Sequence, residues 1–207
     1  MDCLKMSKKE LVVLFRLFIN SDMPIGITDM PHLDVYEQDR IIDLLIQSNM
    51  IGVAEGAFVS NQILEKFLLP IAQCRDIFIY HFGEENNNTF NSSIFITENS
   101  ILSVLEITPD LVELVPITSG TALIELHLPF FNANTDVSQF IHYTIFNDDT
   151  STYHRATISN TEKTIYVCER KEWRCGKEVK QDAHMDILEY QALLKDKIME
   201  MCHVISD

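Results

Sequence analysis

Between Asp76 and His154 the chain contains no lysine and no arginine. A protein that binds phosphates needs clustered cations to displace counterions, so nucleic acid is not expected as the main partner. Glycine is scarce as well, at six residues in 207, and leaves few places where the backbone can close on a phosphate. The sequence has no phosphate-cradling loop, no dinucleotide fingerprint and no G-x-S-x-G nucleophile turn. The five cysteines (Cys3, Cys74, Cys168, Cys175 and Cys202) are odd in number and scattered, with no C-x-x-C pair. That pattern argues against a disulfide scaffold and suits a reducing compartment. Cys168 and Cys175 are the two placed to face each other across a hairpin.

Seven histidines are present, but none forms H-E-x-x-H and none sits at ligand spacing from a cysteine pair. His142 and His154 flank one predicted hairpin turn and are read as surface residues. No apolar run approaches the ~20 residues that span a bilayer; Leu11–Ile19 is short and contains Arg16. No small-residue cleavage site follows that stretch. The expectation is a cytoplasmic chain that does not insert in a membrane. Carboxylates are so numerous that no acid–base pair stands out. No catalytic residue, metal or cofactor is expected, and the chain reads as a binding protein, not an enzyme.

What the sequence does have is an uneven charge. The formal net charge is -15. Residues 1–75 carry seven basic and ten acidic side chains, and Asp76–His154 carries eleven acids. Residues 155–180 reverse the sign, with Arg155, Lys163, Arg170, Lys171, Arg174, Lys177 and Lys180 against four glutamates. An acidic field speeds association with a cationic protein partner. The acids of the cation-free run are expected on exposed strand positions and turns.

Ser7-Lys8-Lys9-Glu10 is a capping box that opens an amphipathic helix through Leu11, Leu14, Phe15 and Phe18, ending near Asn20. Ser21–Leu33 reads as a loop. Asp34-Val35-Tyr36-Glu37 opens a second helix that buries Ile41, Ile42, Leu45 and Leu44. Met50–Val53 and Ala57–Val59 form a short hairpin about Glu55-Gly56. Ser60 caps a third helix, which Pro70 must end or kink because it has no amide proton to donate.

After Arg75 the period changes to two. Ile77–Phe82, Ser93–Thr97, Ile101–Ile107 and Leu111–Val115 read as a meander. A short helix follows from Ser119, stopped at Pro129. Phe140–Phe146, Arg155–Ser159 and Thr164–Glu169 read as further strands, with turns at Asp148-Asp149 and Asn160. Glu169–Val179 reads as a basic hairpin tip or loop. Asp182 to Val204 reads as a closing helix with Ile187, Leu194, Ile198, Met201 and Ile205 on its apolar stripe. The fold class is α+β: a winged-helix-like helical segment over 1–75, then an antiparallel sheet with central and C-terminal helices over 76–207. The two meanders suggest a pseudo-two-fold arrangement within one compact domain.

Two features point to recognition. Arg170-Lys171-Glu172-Trp173-Arg174 sets the only tryptophan among charges, and Trp and Arg are enriched where binding energy concentrates. With the turn acids Asp148 and Asp149, the residues Arg170, Lys171, Trp173 and Arg174 form the candidate partner-binding set. The apolar stripe of the closing helix is the second feature; it packs on the sheet, the stronger reading, or meets a partner helix.

The strings Lys9–Leu17, Arg40–Leu45, Gln47–Ile51, Phe58–Ser60 and Leu64–Pro70, leading into Ile77-Phe78-Ile79, resemble the opening of the EspG family, cytosolic chaperones of type VII secretion systems. Leu123–Pro129 sits where that family has its central helix. Low glycine with abundant Asn, Ile and Lys suggests an AT-rich, Gram-positive host, which points to the EsaE-like targeting chaperones of that family. The resemblance implies a winged-helix-like start and a repeated sheet-plus-helix unit. It also implies a helical secreted client, bound by the central sheet and a C-terminal helical region, and contact with a secretion ATPase. Two other readings stand beside it: an immunity protein that neutralises a cationic toxin, and a winged-helix regulator. Against the regulator, Lys66 is the only cation in the third helix.

Overall fold

In a computed structural model of the chain, the period-two segments after Arg75 pair into one large antiparallel sheet. The structure describes residues 3–20, 27, 30–84, 89–132, 137–147, 149–158 and 164–202. The Asn160 turn, most of the Ser21–Leu33 loop, Asp148 and Ile205 lie outside the described residues.

The chain opens with β1 (Leu4–Ser7), which runs directly into α1 (Lys8–Phe18). Ser7 and Glu10 cap that helix reciprocally: the Ser7 hydroxyl accepts from the Glu10 amide, and the Glu10 carboxylate accepts from the Ser7 amide. Helix α2 (Val35–Gln47) starts on the Asp34 side chain and buries Ile41 and Leu45. Leu44 is exposed, contrary to the periodic reading. The hairpin of β2 (Gly52–Ala54) and β3 (Ala57–Val59) turns on Glu55 and Gly56, both at positive φ, as a two-residue turn that matches strand twist requires.

Pro70 does not end the third helix. Asn61–Ile63 (α3) passes through a π turn at Leu64–Leu68 into Leu69–Ala72 (α4), with the Leu69 amide donating to Leu64. The wider turn just before Pro70 takes up the misfit that its ring and missing donor create. The Ser60 hydroxyl is turned away from the helix and donates to the Met50 carbonyl.

Two four-stranded runs make up most of the sheet. The first is β4 (Asp76–Glu84), β5 (Thr89–Ile96), β6 (Ile101–Thr108) and β7 (Leu111–Ile117), followed by α5 (Gly120–Leu126) on its Ser119 cap. The second is β8 (Gln139–Phe146), β9 (Thr150–Ile158), β10 (Thr164–Trp173) and β11 (Glu178–Asp186), followed by α6 (Ile187–Cys202). The strand order is β1-β7-β6-β5-β4-β8-β9-β10-β11. Each run therefore begins at the sheet centre, steps outward and ends in a helix.

Several boundaries differ from the sequence reading. Thr150–Arg155 and Glu169–Trp173 are strand, which shortens the basic tip to the residues between Trp173 and Glu178. Asp182–Asp186 belongs to β11, so the closing helix starts five residues later than the apolar pattern suggests. Its buried stripe is Tyr190, Leu194, Ile198 and Cys202, a straight i, i+4 ridge, with Ile187 and Met201 only half-buried.

Apolar residues pack on both faces of the sheet. On one, α5 and α6 cover Phe78, Tyr80, Ile141, Tyr143 and Ile165. On the other, α1, α2 and the helix through Phe67 and Ile71 cover Phe95, Leu102, Val104, Val112 and Leu114. The cation-free run is less exposed than its composition implies. Asp76 is buried beside Arg75, Glu106 faces Lys8 at 3.6 Å, and Glu113 faces Lys5 at 3.5 Å across the β1–β7 pair. Cations of the N-terminal segment thus reach acids that have none nearby in sequence.

Gly120 lets α5 approach α6, because a Cβ there would lie 2.8 Å from Cys202 Cβ. Gly120→Ala is expected to cost about 1–3 kcal/mol through overpacking, read as a lower urea midpoint.

Candidate functional site

The candidate residues divide between the two faces of the sheet. In strand β10 successive side chains alternate, so Lys171 and Trp173 point to the α5–α6 face and Arg170 to the opposite one. Arg170 pairs there with Glu172 and, at 3.0 Å, with Glu178. Lys171, Trp173, Arg174 and Asp149 do come together. With Arg75 and Asp76 they line an open cavity of about 750 Å³ at one end of the sheet. The Arg174 amide donates to the Asp149 carbonyl at 3.1 Å, joining the β10–β11 tip to the β8–β9 turn. Trp173 is half-buried, with the ammonium groups of Lys171 and Lys177 each 5.2 Å from its ring centre, a cation–π arrangement on an aromatic partner.

Cys168 lies opposite Asp182 in the ladder while Cys175 sits in the tip, and both are free thiols. The two are separated along the hairpin, not opposed across it. His142 and His154 also part company. The β8–β9 register sets His142 opposite Arg155 and His154 opposite Tyr143, so the two rings lie on opposite faces.

The second feature is a bare half-sheet. On the face where α1, α2 and the helix through Phe67 and Ile71 cover β5–β7, none of the described helices covers β8–β11. The side chains left there form cross-strand rows: Thr144, Tyr153, Arg170 and Lys180; His142, Arg155, Cys168 and Asp182; Phe140, Thr157, Tyr166 and His184. Tyr153 is 40% and Tyr166 39% exposed. Arg155 is exposed, and burial together with the Arg155 charge holds the neighbouring His142 below its ordinary pKa. The sequence conceals this face because β8 is apolar or aromatic on both sides, and reads like a strand buried twice.

The third feature lies on the opposite face and went unread in the sequence. His154, Tyr143 and Tyr190 are buried at 4%, 1% and 0% exposure. The His154 ring stacks on Tyr143 at 4.2 Å, and its Nε2 is 3.1 Å from the Tyr190 hydroxyl. Nδ1 faces Glu169 Oε2 at 3.4 Å, which is electrostatic contact more than a made hydrogen bond. Lys197 of α6 donates to the same carboxylate oxygen at 2.6 Å. The His154 ring and the closer Lys197 ammonium hold the Glu169 carboxyl down at about 2, against the effect of burial. Burial lowers His154 and raises Tyr190 and Tyr143. The natural assignment has Tyr190 donating to Nε2 and Nδ1–H directed at Glu169. A cavity of about 570 Å³ between α6 and β11 opens onto this cluster. Its groups come from β8, β9, β10 and α6, so no local motif announces it; a histidine misread as exposed was the only signal.

Among the described residues no group of histidines, cysteines and carboxylates is placed to hold a metal ion, and no helix is long and apolar enough to cross a membrane. The sequence matches no family model and no curated protein.

The buried cluster gives stability a definite pH dependence. As pH falls through 6.5, the ordinary histidine value, the unfolded chain takes up a proton that folded His154 resists, so stability declines. His142 and His127, also lowered, add to the same slope. A second loss follows between 4.5 and about 2 as Glu169 is protonated. Urea midpoints across this range are expected to show both stages. His154→Gln should make the upper one shallower, leaving the share of His142 and His127, and Glu169→Gln should remove most of its own contribution to the lower one.

Proposed function

We propose that the protein is a non-enzymatic chaperone or adaptor that holds a helical secreted client in the cytoplasm for a type VII secretion system, in the manner of EspG-like and EsaE-like proteins. The observation that carries the reading is the unequal covering of one sheet face. Helices α1 and α2 and the helix through Phe67 and Ile71 lie on the β5–β7 half, while on this face the β8–β11 half presents Tyr153, Tyr166, Phe140 and Arg155 with no helix over it among the described residues. A client helix laid on this half takes the place that those helices occupy on the other. Aromatic rings and arginine on a preformed surface are the side chains that concentrate binding energy.

The strand order supports the same reading. Two successions of four strands and a helix, begun side by side at β4 and β8, are what a pseudo-two-fold arrangement of sheet-plus-helix units requires. Two helices, a small hairpin and a third helix in the N-terminal segment are in keeping with a winged-helix-like unit over residues 1–75, ahead of the sheet unit over 76–207. The tip cavity about Trp173 and Arg174 borders the half-sheet from the other side, and serves in this reading as a second contact for the client or for the secretion ATPase.

The test is co-expression with the small helical secreted proteins encoded beside the gene, followed by size-exclusion chromatography. Co-elution is expected. The double substitution Tyr153→Glu and Tyr166→Glu should weaken the complex by about thirtyfold or more while leaving the thermal midpoint within a few degrees, since both rings are already exposed. Separate elution of unmodified chain and client would remove the reading, as would retention of single-stranded RNA on the same face in their place.

A further inference from the structure

The sheet ends in two very different edges. At one, β1 is four residues long. At the other, β11 is nine residues long, has neither proline nor glycine, and pairs with β10 over nine consecutive positions without a register shift. Eight of its nine residues are exposed, and among the described residues no strand pairs with its outer side. Natural sheets blunt such an edge with prolines, bulges or charged side chains, because its free amides and carbonyls invite another strand.

The charges on β11 are not of one sign. On the open face they run Glu178, Lys180, Asp182, His184 and Asp186, alternating acid and base. A single-signed edge repels a copy of itself in every register. An alternating one discriminates among registers, because in antiparallel pairing the residue opposite position i is fixed by the dyad. With a two-fold axis at Gln181, Lys180 meets Asp182 of the second copy and Glu178 meets its His184, each twice. On the other face Val179 meets Ala183. With the axis at Asp182, that aspartate meets itself and Glu178 meets Asp186. With the axis at Ala183, Val179 and Glu178 run past the second copy's β11 onto the first turn of its α6. Of the axes that pair at least five positions of β11 with β11, only that at Gln181 keeps every pair on strand or hairpin tip while opposing Lys180 to Asp182.

We infer that the outer edge of β11 is a self-association surface: two copies pair antiparallel about Gln181, extending one sheet into the next and setting their two bare half-faces side by side. The backbone ladder supplies the attraction and the charge rows select the register. This does not rest on client binding, and its readout is self-association alone.

The experiment is sedimentation equilibrium of the full chain over a range of concentrations, with reductant present because Cys3 and Cys175 are exposed. It is run at physiological ionic strength, where screening over about 8 Å suppresses the repulsion of two acidic chains. A reversible monomer–dimer equilibrium is expected. Lys180→Asp should weaken it roughly tenfold, since both Lys–Asp pairs become like-charge pairs. Adding Asp182→Lys to that variant should restore the original constant by exchanging the signs. Circular dichroism of each variant checks that the fold is retained, as expected for exposed positions. A chain that stays monomeric throughout, a dimer indifferent to Lys180→Asp, or a loss that the double exchange does not repair would each overturn the inference.

Discussion

The pairing of β4 with β8 is the interaction on which the rest of the structure depends. It aligns Ile77–Glu84 with Gln139–Phe146 over eight successive positions, and among the described residues it is the only ladder joining the two meanders. One face of this seam is sealed by rings, with Phe78 and Tyr143 centroids 5.2 Å apart and Phe78 and Tyr80 centroids 5.7 Å apart. A slip of β8 by one residue would turn all of its side chains to the other face. It would send Tyr143 out to the bare side and bring Thr144 and His142 into the core beneath α6. Register here is therefore set by burial, not by a turn, since the connection between the meanders runs through α5.

Once the seam is set, the two halves are finished differently. The first is closed on both sides by the chain's own helices and at its edge by β1. The second has α6 on one side and solvent on the other. Its helix is held by more than apolar contact, because Lys197 and Tyr190 both reach into a cluster built on His154 and Glu169. A charged pair within a partly buried groove contributes little net stability but is costly to break by removing one member. It fixes where along the strands α6 sits. The back of the half-sheet is thus specified by polar groups.

Much of this could be read in the sequence, and the reasons for the exceptions are physical. Capping at Ser7, Asp34 and Ser119, the Glu55-Gly56 turn and the change of period after Arg75 are local signals, and the structure has each of them. Strand ends were misplaced where polar residues continue a ladder, as at Thr150–Tyr153 and Asp182–Asp186, because backbone pairing with a neighbour outweighs composition there. Leu44 was counted as core because the apolar stripe of α2 is wider than the surface it packs on. Of the candidate site, the tip held together as far as Asp149, Lys171, Trp173 and Arg174 are concerned. Arg170 was assigned with its sequence neighbours although strand alternation sends it to the other face. The bare half-sheet and the His154 cluster depend on which strands become neighbours, and no linear pattern carries that.

The position of β1 has a consequence for how the chain emerges during synthesis. Residues Leu4–Ser7 pair with Leu111–Leu114, so β1 finds its neighbour only after more than a hundred residues have followed it. Helices α1 and α2 have no platform until β5, β6 and β7 exist. Through that interval their apolar stripes, Leu11, Leu14 and Phe15 among them, are available to other chains. Translation at roughly 5–20 residues per second makes this a wait of several seconds. Closure of that half then removes the hazard before β8–β11 appears. In that order of events the open half-sheet is made after the covered one.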